Sequence, residues 1–323
     1  MIGYDVMRYG RLERVQATEM SDCGSSSDEE GQIVVTRSME HVARELLGDT
    51  DYNAAHDTFM ARIAADSADT LAIREMEQRS ERWLQIRSHR ITGSVCGDWM
   101  GYNRFSSQRN AIKRLLHRTK VAPNEHMRRG TALEPVARDM FLQYMRAQHP
   151  DWKVECVEDG LCVVDDPDMY CFGYSPDGRV IITDEHGVTR QQLLEIKAPF
   201  KGFYDGIPPG YMAQMQMGME LLSKIFDADG FTHCYFVQIH EGVLKTEVVS
   251  YDKAYATHMM TELRRLWLEE YVPRVILKQH GHIRDNEIDV CVDCDQQAPR
   301  LKSSLKMYQQ PMKRRRIQVV LNQ

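Results

Sequence analysis

Apolar positions recur at helical spacing along several stretches of the chain and at strand spacing along others. Within 131–147, Leu133, Val136, Ala137, Met140, Phe141 and Tyr144 fall at i, i+3, i+4 and i+7, which predicts an amphipathic helix. Within 69–87, Leu71, Ile73, Met76, Trp83 and Ile86 fit the same period. Residues 110–120 read as a basic amphipathic helix with Ile112, Leu115 and Leu116 on one side. Shorter helices are expected over 38–47 and, behind a cap, over 92–100. From 153 to 198 the pattern turns to strands, with Asp159-Gly160, Asp177-Gly178 and His186-Gly187 as turn signals. A helix over 210–226 follows Pro208-Pro209, then strands over 234–240 and 244–250, then a long helix over about 253–277. Helices, a sheet, then helix, hairpin and helix predict a mixed α/β (α+β) fold, with one central mixed sheet flanked by helices rather than a regular βαβ repeat.

Composition adds boundaries. The chain has 323 residues, 42% of them apolar, enough for a substantial core. The segment SDCGSSSDEEG at 21–31 reads as a flexible, acidic linker. The expected division is an N-terminal extension over 1–65, a regular domain over 66–279 and a polar tail over 280–323. A net charge of −6 excludes a basic coat over the whole surface and leaves local patches: 113–118, Arg128-Arg129 and the run KRRR at 313–316. That run is either a solvated cluster, a nuclear-import signal or a phosphate contact. Eight cysteines without a secretory leader suggest reduced thiols in an intracellular compartment. Cys156, Cys162, Cys171 and Cys234 are expected in the core. No apolar run approaches the roughly 18 residues of a membrane span.

The chemistry concentrates between 170 and 200. Asp177 lies in a Ser-Pro-Asp-Gly turn, and 18 positions later comes Glu195, then Ile196 and Lys197. Alternation on a strand puts Glu195 and Lys197 on one face, with Ile196 toward the core. Leu193, Leu194, Ile196 and Ala198 make the strand apolar enough to be buried on both faces, where a glutamate and a lysine are costly unless paired or bound to a metal. Oxygen donors from Asp177, Glu195 and the Ile196 carbonyl suit a hard cation such as Mg²⁺ or Mn²⁺. Lys197 would orient or deprotonate an attacking water. The bland alternative is an exposed strand pairing Glu195 with Lys197.

Four segments in order resemble the phage lambda exonuclease group and the viral alkaline exonucleases, of the PD-(D/E)xK nuclease superfamily. They are SERWLQIR with ITGS at 80–94, RGTALE at 129–134, SPDG with LEIK at 175–197, and YMAQMQ at 211–216. The resemblance spans roughly residues 80–275 and implies a restriction-endonuclease-like core. It implies that Asp177 and Glu195 bind metal, that Lys197 is the catalytic lysine, and that Glu134 helps hold a second ion. It further implies that Gln214 contacts the reacting region and that Arg87, Ser94 and Ser175 bind a 5′-terminal phosphate. Such enzymes degrade one strand of duplex DNA from its 5′ end and leave a 3′ single strand, usually for an annealing partner protein. They form a ring of subunits, and a viral or phage source, with action in host nucleus or cytoplasm, follows from the same likeness. A structure-specific endonuclease acting on DNA or RNA, and a non-catalytic DNA-binding or annealing protein, are the competing classes.

Several of these residues have structural explanations. Thr131 to Glu134 has the form of a capping box, with Pro135 in a first helical turn, so Glu134 is expected at a buried helix start. Gln214 and Gln216 lie about 200° apart on a helix and cannot both face one site; Gln214 is preferred. Arg87 also suits a helix C-terminus, and Ser94 an N-cap. Cys291 and Cys294, with His280 and His282, have four potential zinc ligands, though free thiols on a tail explain them better.

Overall fold

The computed structural model describes residues 38–118, 123–226 and 230–288 and the backbone of 315–319. Ten helices and eight strands are named in chain order. The first helices are α1 (Met39–Leu47), α2 (Asp49–Ala65), α3 (Thr70–Glu75) and α4 (Glu81–Arg87). Strand β1 (Ile91–Thr92) leads into α5 (Gly93–Trp99), α6 (Gln108–Leu116) and α7 (Glu125–Gln148). Strands β2 (Lys153–Val157), β3 (Phe172–Gly173), β4 (Gly178–Thr183) and β5 (Thr189–Lys197) follow. Helix α8 (Pro209–Phe226), β6 (His233–His240), β7 (Val243–Ser250), α9 (Lys253–Leu266), α10 (Val272–Gln279) and β8 (Arg315–Val319) complete the order.

Six strands form one sheet in the order β2-β4-β5-β6-β7-β8. The β5–β6 pair is parallel and its neighbours are antiparallel, so the expected mixed sheet flanked by helices is present. A connection that returns parallel needs a crossover, and α8 supplies it. One face of the sheet packs on α7: Leu194, Ile196, Val237 and Val180 meet Ala137 and Phe141. The other face packs on α8, where Leu193 and Phe236 join Met215, Met219 and Leu222. A two-stranded parallel ribbon, β1 with β3, lies apart, with Thr92 opposite Gly173.

Several expected boundaries move, each for a local reason. The regular packing begins before Asp66: Met39, Ala43, Tyr52, Phe59 and Ile63 of α1 and α2 belong to the main core. The helix expected over 69–87 is two helices, because 76–80 leaves helical geometry, with Met76 extended and Arg79 at φ 72°. The long final helix contains one π turn at Trp267–Tyr271, just before Pro273. Helix α7 is not opened by the Thr131–Glu134 box. Asn124 caps it by accepting from the Met127 N–H at 2.9 Å, and Gly130 and Pro135 lie inside. Within the expected polar tail, β8 runs antiparallel to β7. The acidic linker and Cys291 and Cys294 lie outside the described residues, as do Lys313 and Arg314 of the basic run. Among the described residues no helix is long and apolar enough to cross a membrane.

Candidate active site

The candidate residues meet where β5 runs past the end of β4. The ladder between them stops at Gly178 opposite Leu194, leaving 195–197 without a backbone partner on that edge. Asp177 fills the gap: its Oδ2 accepts from the Ile196 N–H at 2.7 Å. In a strand a residue's N–H and C=O point to the same edge, so the Ile196 carbonyl lies on the Asp177 side. The expected burial of β5 is observed from Leu193 to Ile196, and Glu195 is fully buried.

Three donors converge on the Glu195 carboxylate. The Tyr174 hydroxyl donates to Oε2 at 2.6 Å, Gln214 Nε2 donates to Oε1 at 2.6 Å, and the Lys197 ammonium bonds to the same Oε1. Glu195 and Lys197 therefore share a face as alternation requires, and the pair is not an exposed surface pair. Tyr174 was not picked out by sequence. It is held by close packing: a Cβ on Gly93 or on Gly218 would come within 2.5 Å of its ring. Gly97 similarly lets α5 approach Gly210, where an added Cβ would lie 2.8 Å from the Gly210 Cα. Gln216 faces away, donating to the Ser250 carbonyl at 2.9 Å and accepting from the Asp252 N–H at 2.8 Å. Of the two glutamines it is Gln214 that reaches Glu195.

Glu134 approaches from α7, mid-helix rather than at a helix start. Its Oε1 accepts from Arg138 Nη2 at 3.1 Å, while Arg138 Nε donates to the Asp177 carbonyl at 3.1 Å. Arg138 thus ties two candidate acids together, a residue with no sequence signal beyond its i+4 spacing from Glu134.

The acids act on one another. Burial, then Glu195, with Glu134 adding, hold the Asp177 carboxyl well above the usual carboxylate range; Lys197 only partly offsets this. Burial raises Glu134 as well, with Glu158 and Glu195 adding and Arg138 opposing. For Lys197, burial alone would weaken proton binding, but Glu195 and Asp177 outweigh it and hold the proton more firmly than on an ordinary lysine. Lys197 is therefore a cation at neutral pH and not a ready base. Crowded carboxyls that would otherwise keep their protons are hard oxygen donors of the kind a divalent cation suits. Among the described residues no group of three His, Cys, Asp or Glu side chains is already gathered as a metal cluster, and the Lys197 ammonium bonds Glu195.

A second cluster forms beside it. Arg87 stacks over the Trp83 ring at 4.8 Å and donates through Nη2 to Thr92 Oγ1 at 2.9 Å and Ser94 Oγ at 3.0 Å. Thr92, not Ser94, is the N-cap residue of α5. Burial lowers the proton affinity of Arg87, and among the described residues no carboxylate pairs with it. Ser175 lies two residues beyond Gly173, the register partner of Thr92. Among the described residues the buried Ser175 hydroxyl has no hydrogen-bond partner.

Other candidates have internal work. Arg129 fastens the chain after β5, donating to the carbonyls of Ala198 at 2.9 Å and Pro199 at 3.1 Å. Arg114 pairs with Asp98, and Arg118 bonds to His89 at 2.7 Å. Cys162, Cys171 and Cys234 are buried and Cys156 is half-buried.

The mixed sheet thus carries an acid, an acid and a lysine at one strand end. Residues 82–222 match the family model of the YqaJ-like viral recombinase domain, and at this level the likeness to the lambda exonuclease family is borne out. That match supports a nuclease role. A solved structure of LHK-Exo in complex with dAMP is similar over 62% of this chain and 98% of its own, at 24% identity and a TM-score of 0.47. A structure of SSO0001 is similar over 65% and 85%, at 13% identity and a TM-score of 0.28. No curated protein matches the sequence.

Proposed function

We propose that the protein is a metal-dependent 5′→3′ exonuclease acting on the ends of double-stranded DNA, leaving 3′ single strands for recombination. The observation that carries this is the pairing of two clusters: Asp177, Glu195 and Lys197 at the end of β5, and beside them Arg87 with Thr92 and Ser94, Arg87 having no carboxylate partner among the described residues. Asp177, Glu195, the Ile196 carbonyl and Glu134 would hold one or two Mg²⁺ or Mn²⁺ ions. Bound there, the metal would supply water activation and charge stabilisation at the phosphate.

The chain's own groups have distinct tasks. Lys197, protonated, orients water through Nζ and offsets phosphate charge. Gln214 and Tyr174 fix the Glu195 carboxylate, and Arg138 fixes Glu134 against the Asp177 loop. Arg87, Ser94 and Ser175 grip a terminal 5′-phosphate, the planar guanidinium by paired hydrogen bonds. That grip sets polarity and dependence on an end. Affinity for the duplex comes from backbone contacts and falls with salt. A homotrimeric ring around DNA and hand-over of the 3′ strand to an annealing protein complete the proposal.

The test uses linear duplex labelled at each end, with and without a 5′-phosphate, in Mg²⁺. Mononucleotides released from the 5′-phosphorylated strand, and lost in Lys197→Ala and Asp177→Asn, support the proposal. Internal cuts at equal rate on circular DNA would instead make it an endonuclease. DNA binding without cleavage in Mg²⁺ or Mn²⁺ would make it a non-catalytic binding protein.

A further inference from the structure

The segment that leaves β5 carries an exposed aromatic ring. Phe200 is 52% exposed, three residues beyond Lys197, so the two Cα atoms lie at most about 11 Å apart. The ring is braced rather than loose. His126 meets it edge-on at 4.6 Å and 87°, and the Arg129 guanidinium lies over it at 5.9 Å. Arg129 is in turn anchored to the Ala198 and Pro199 carbonyls, which fixes the backbone carrying the ring. His240 Nδ1 also bonds to the Pro199 carbonyl at 3.1 Å. Phe105 differs: it is 83% exposed and packs against its own neighbour Arg104 at 4.6 Å.

A rigid, half-exposed aromatic flanked by a cation is what an unpaired nucleobase stacks upon. Every base offers a π face, and arginine adds a cation–π contribution. A further cation suits a phosphate beside such a base: Lys201, the residue after Phe200, is exposed. We infer that Phe200, held by His126 and Arg129, is a stacking platform for a nucleobase of the strand being cut, within a nucleotide or two of the scissile phosphate. The inference rests on the nuclease activity proposed above. In this role Phe200 is a positioning residue that acts on the substrate's register.

The experiment is a cycle between residue and base. Wild type, Phe200→Ala, Phe200→Trp and Phe105→Ala are assayed on 5′-phosphorylated duplexes, either intact or with one abasic site stepped through the first nucleotides of the cut strand. At one position the abasic site should slow the wild type about ten- to a hundredfold, the span expected for one stacked base. Phe200→Ala should lose a similar factor on intact DNA and show no further loss at that position; Phe200→Trp should restore both, and Phe105→Ala should behave as wild type. A Phe200→Ala enzyme as fast as wild type, or one slowed equally at every abasic position, would overturn the platform. Wild type that cleaves none of these duplexes would overturn the nuclease reading itself, a result separable from either.

Discussion

Two aspartates in turns of this sheet, Asp159, which is buried, and Asp177, which is half-buried, are treated in opposite ways. Asp159, 4% exposed, accepts from Arg179 Nε at 2.8 Å and Nη2 at 3.1 Å, with Arg74 Nε at 3.7 Å. Its backbone carbonyl takes Gln78 Nε2 at 2.9 Å, so the residue staples the 74–78 segment to the sheet. Asp177 accepts one backbone N–H and faces two further carboxylates. The first is a charge neutralised by the protein. The second is a carboxyl crowded by other acids and so inclined to keep its proton, which is the mark of a place where a positive ion could take that proton's part. The sequence presents both as the same Asp-Gly turn signal.

Substituting each aspartate should separate them most widely. Asp177→Asn should abolish cleavage by on the order of a thousandfold or more, yet raise the melting temperature in metal-free buffer, because it removes a repelled carboxylate. Asp159→Asn should cost about 3–5 kcal/mol of stability by leaving buried guanidinium groups without their anion, read by chemical denaturation. If Asp177→Asn unfolds the protein and Asp159→Asn does not, the contrast is inverted.

Acidity sharpens the same point. The Asp177 carboxyl is raised, so in metal-free buffer its contribution to stability is fully present below the ordinary aspartate value of about 3.9 and is lost as pH rises through the folded value. Stability should therefore fall with rising pH above the usual carboxylate range. Mg²⁺ should cancel that fall, and Asp177→Asn should flatten it. Thermal melts at several pH values, with and without Mg²⁺, read all three.

Smaller effects divide the two glutamines. Gln214→Leu should lower kcat about ten- to a hundredfold with little change in stability, since it removes a donor to Glu195. Gln216→Leu should do the reverse, costing about 1–3 kcal/mol and sparing kcat. Smallest of all, Ser175→Ala should be neutral or slightly stabilising, because its buried hydroxyl has no partner among the described residues. It should still weaken preference for a 5′-phosphate in competition between phosphorylated and unphosphorylated ends.

Much of this was legible from pattern. Period-two alternation places Glu195 and Lys197 together, and helical angles separate Gln214 from Gln216. The fold's order of elements also follows from apolar spacing. What escaped did so for physical reasons. Glu134 sits in a capping-box pattern beside a proline, but Asn124 had already opened the helix seven residues before Thr131, and packing of Ala137 and Phe141 carries it through Gly130 and Pro135. Helices α1 and α2 looked like an extension because many of their faces are polar, while Tyr52, Phe59 and Ile63 pack into a core contributed by distant segments. Tyr174 and Arg138 act through neighbours brought in by the fold, which no local spacing reports.

The parallel pairing of β5 with β6 has a consequence for how the protein can be rearranged. A parallel neighbour forces the chain to travel back along the sheet, so the crossover must begin where β5 ends. Gln214, in the second turn of α8, is therefore delivered to Glu195 by connectivity rather than by chance contact. New termini opened at Glu241-Gly242, in the hairpin between β6 and β7, would keep that delivery intact. Termini opened between Lys201 and Gly206 would turn one continuous route into two pieces that must find each other, and the register of the carboxylate with its amide would then depend on docking alone.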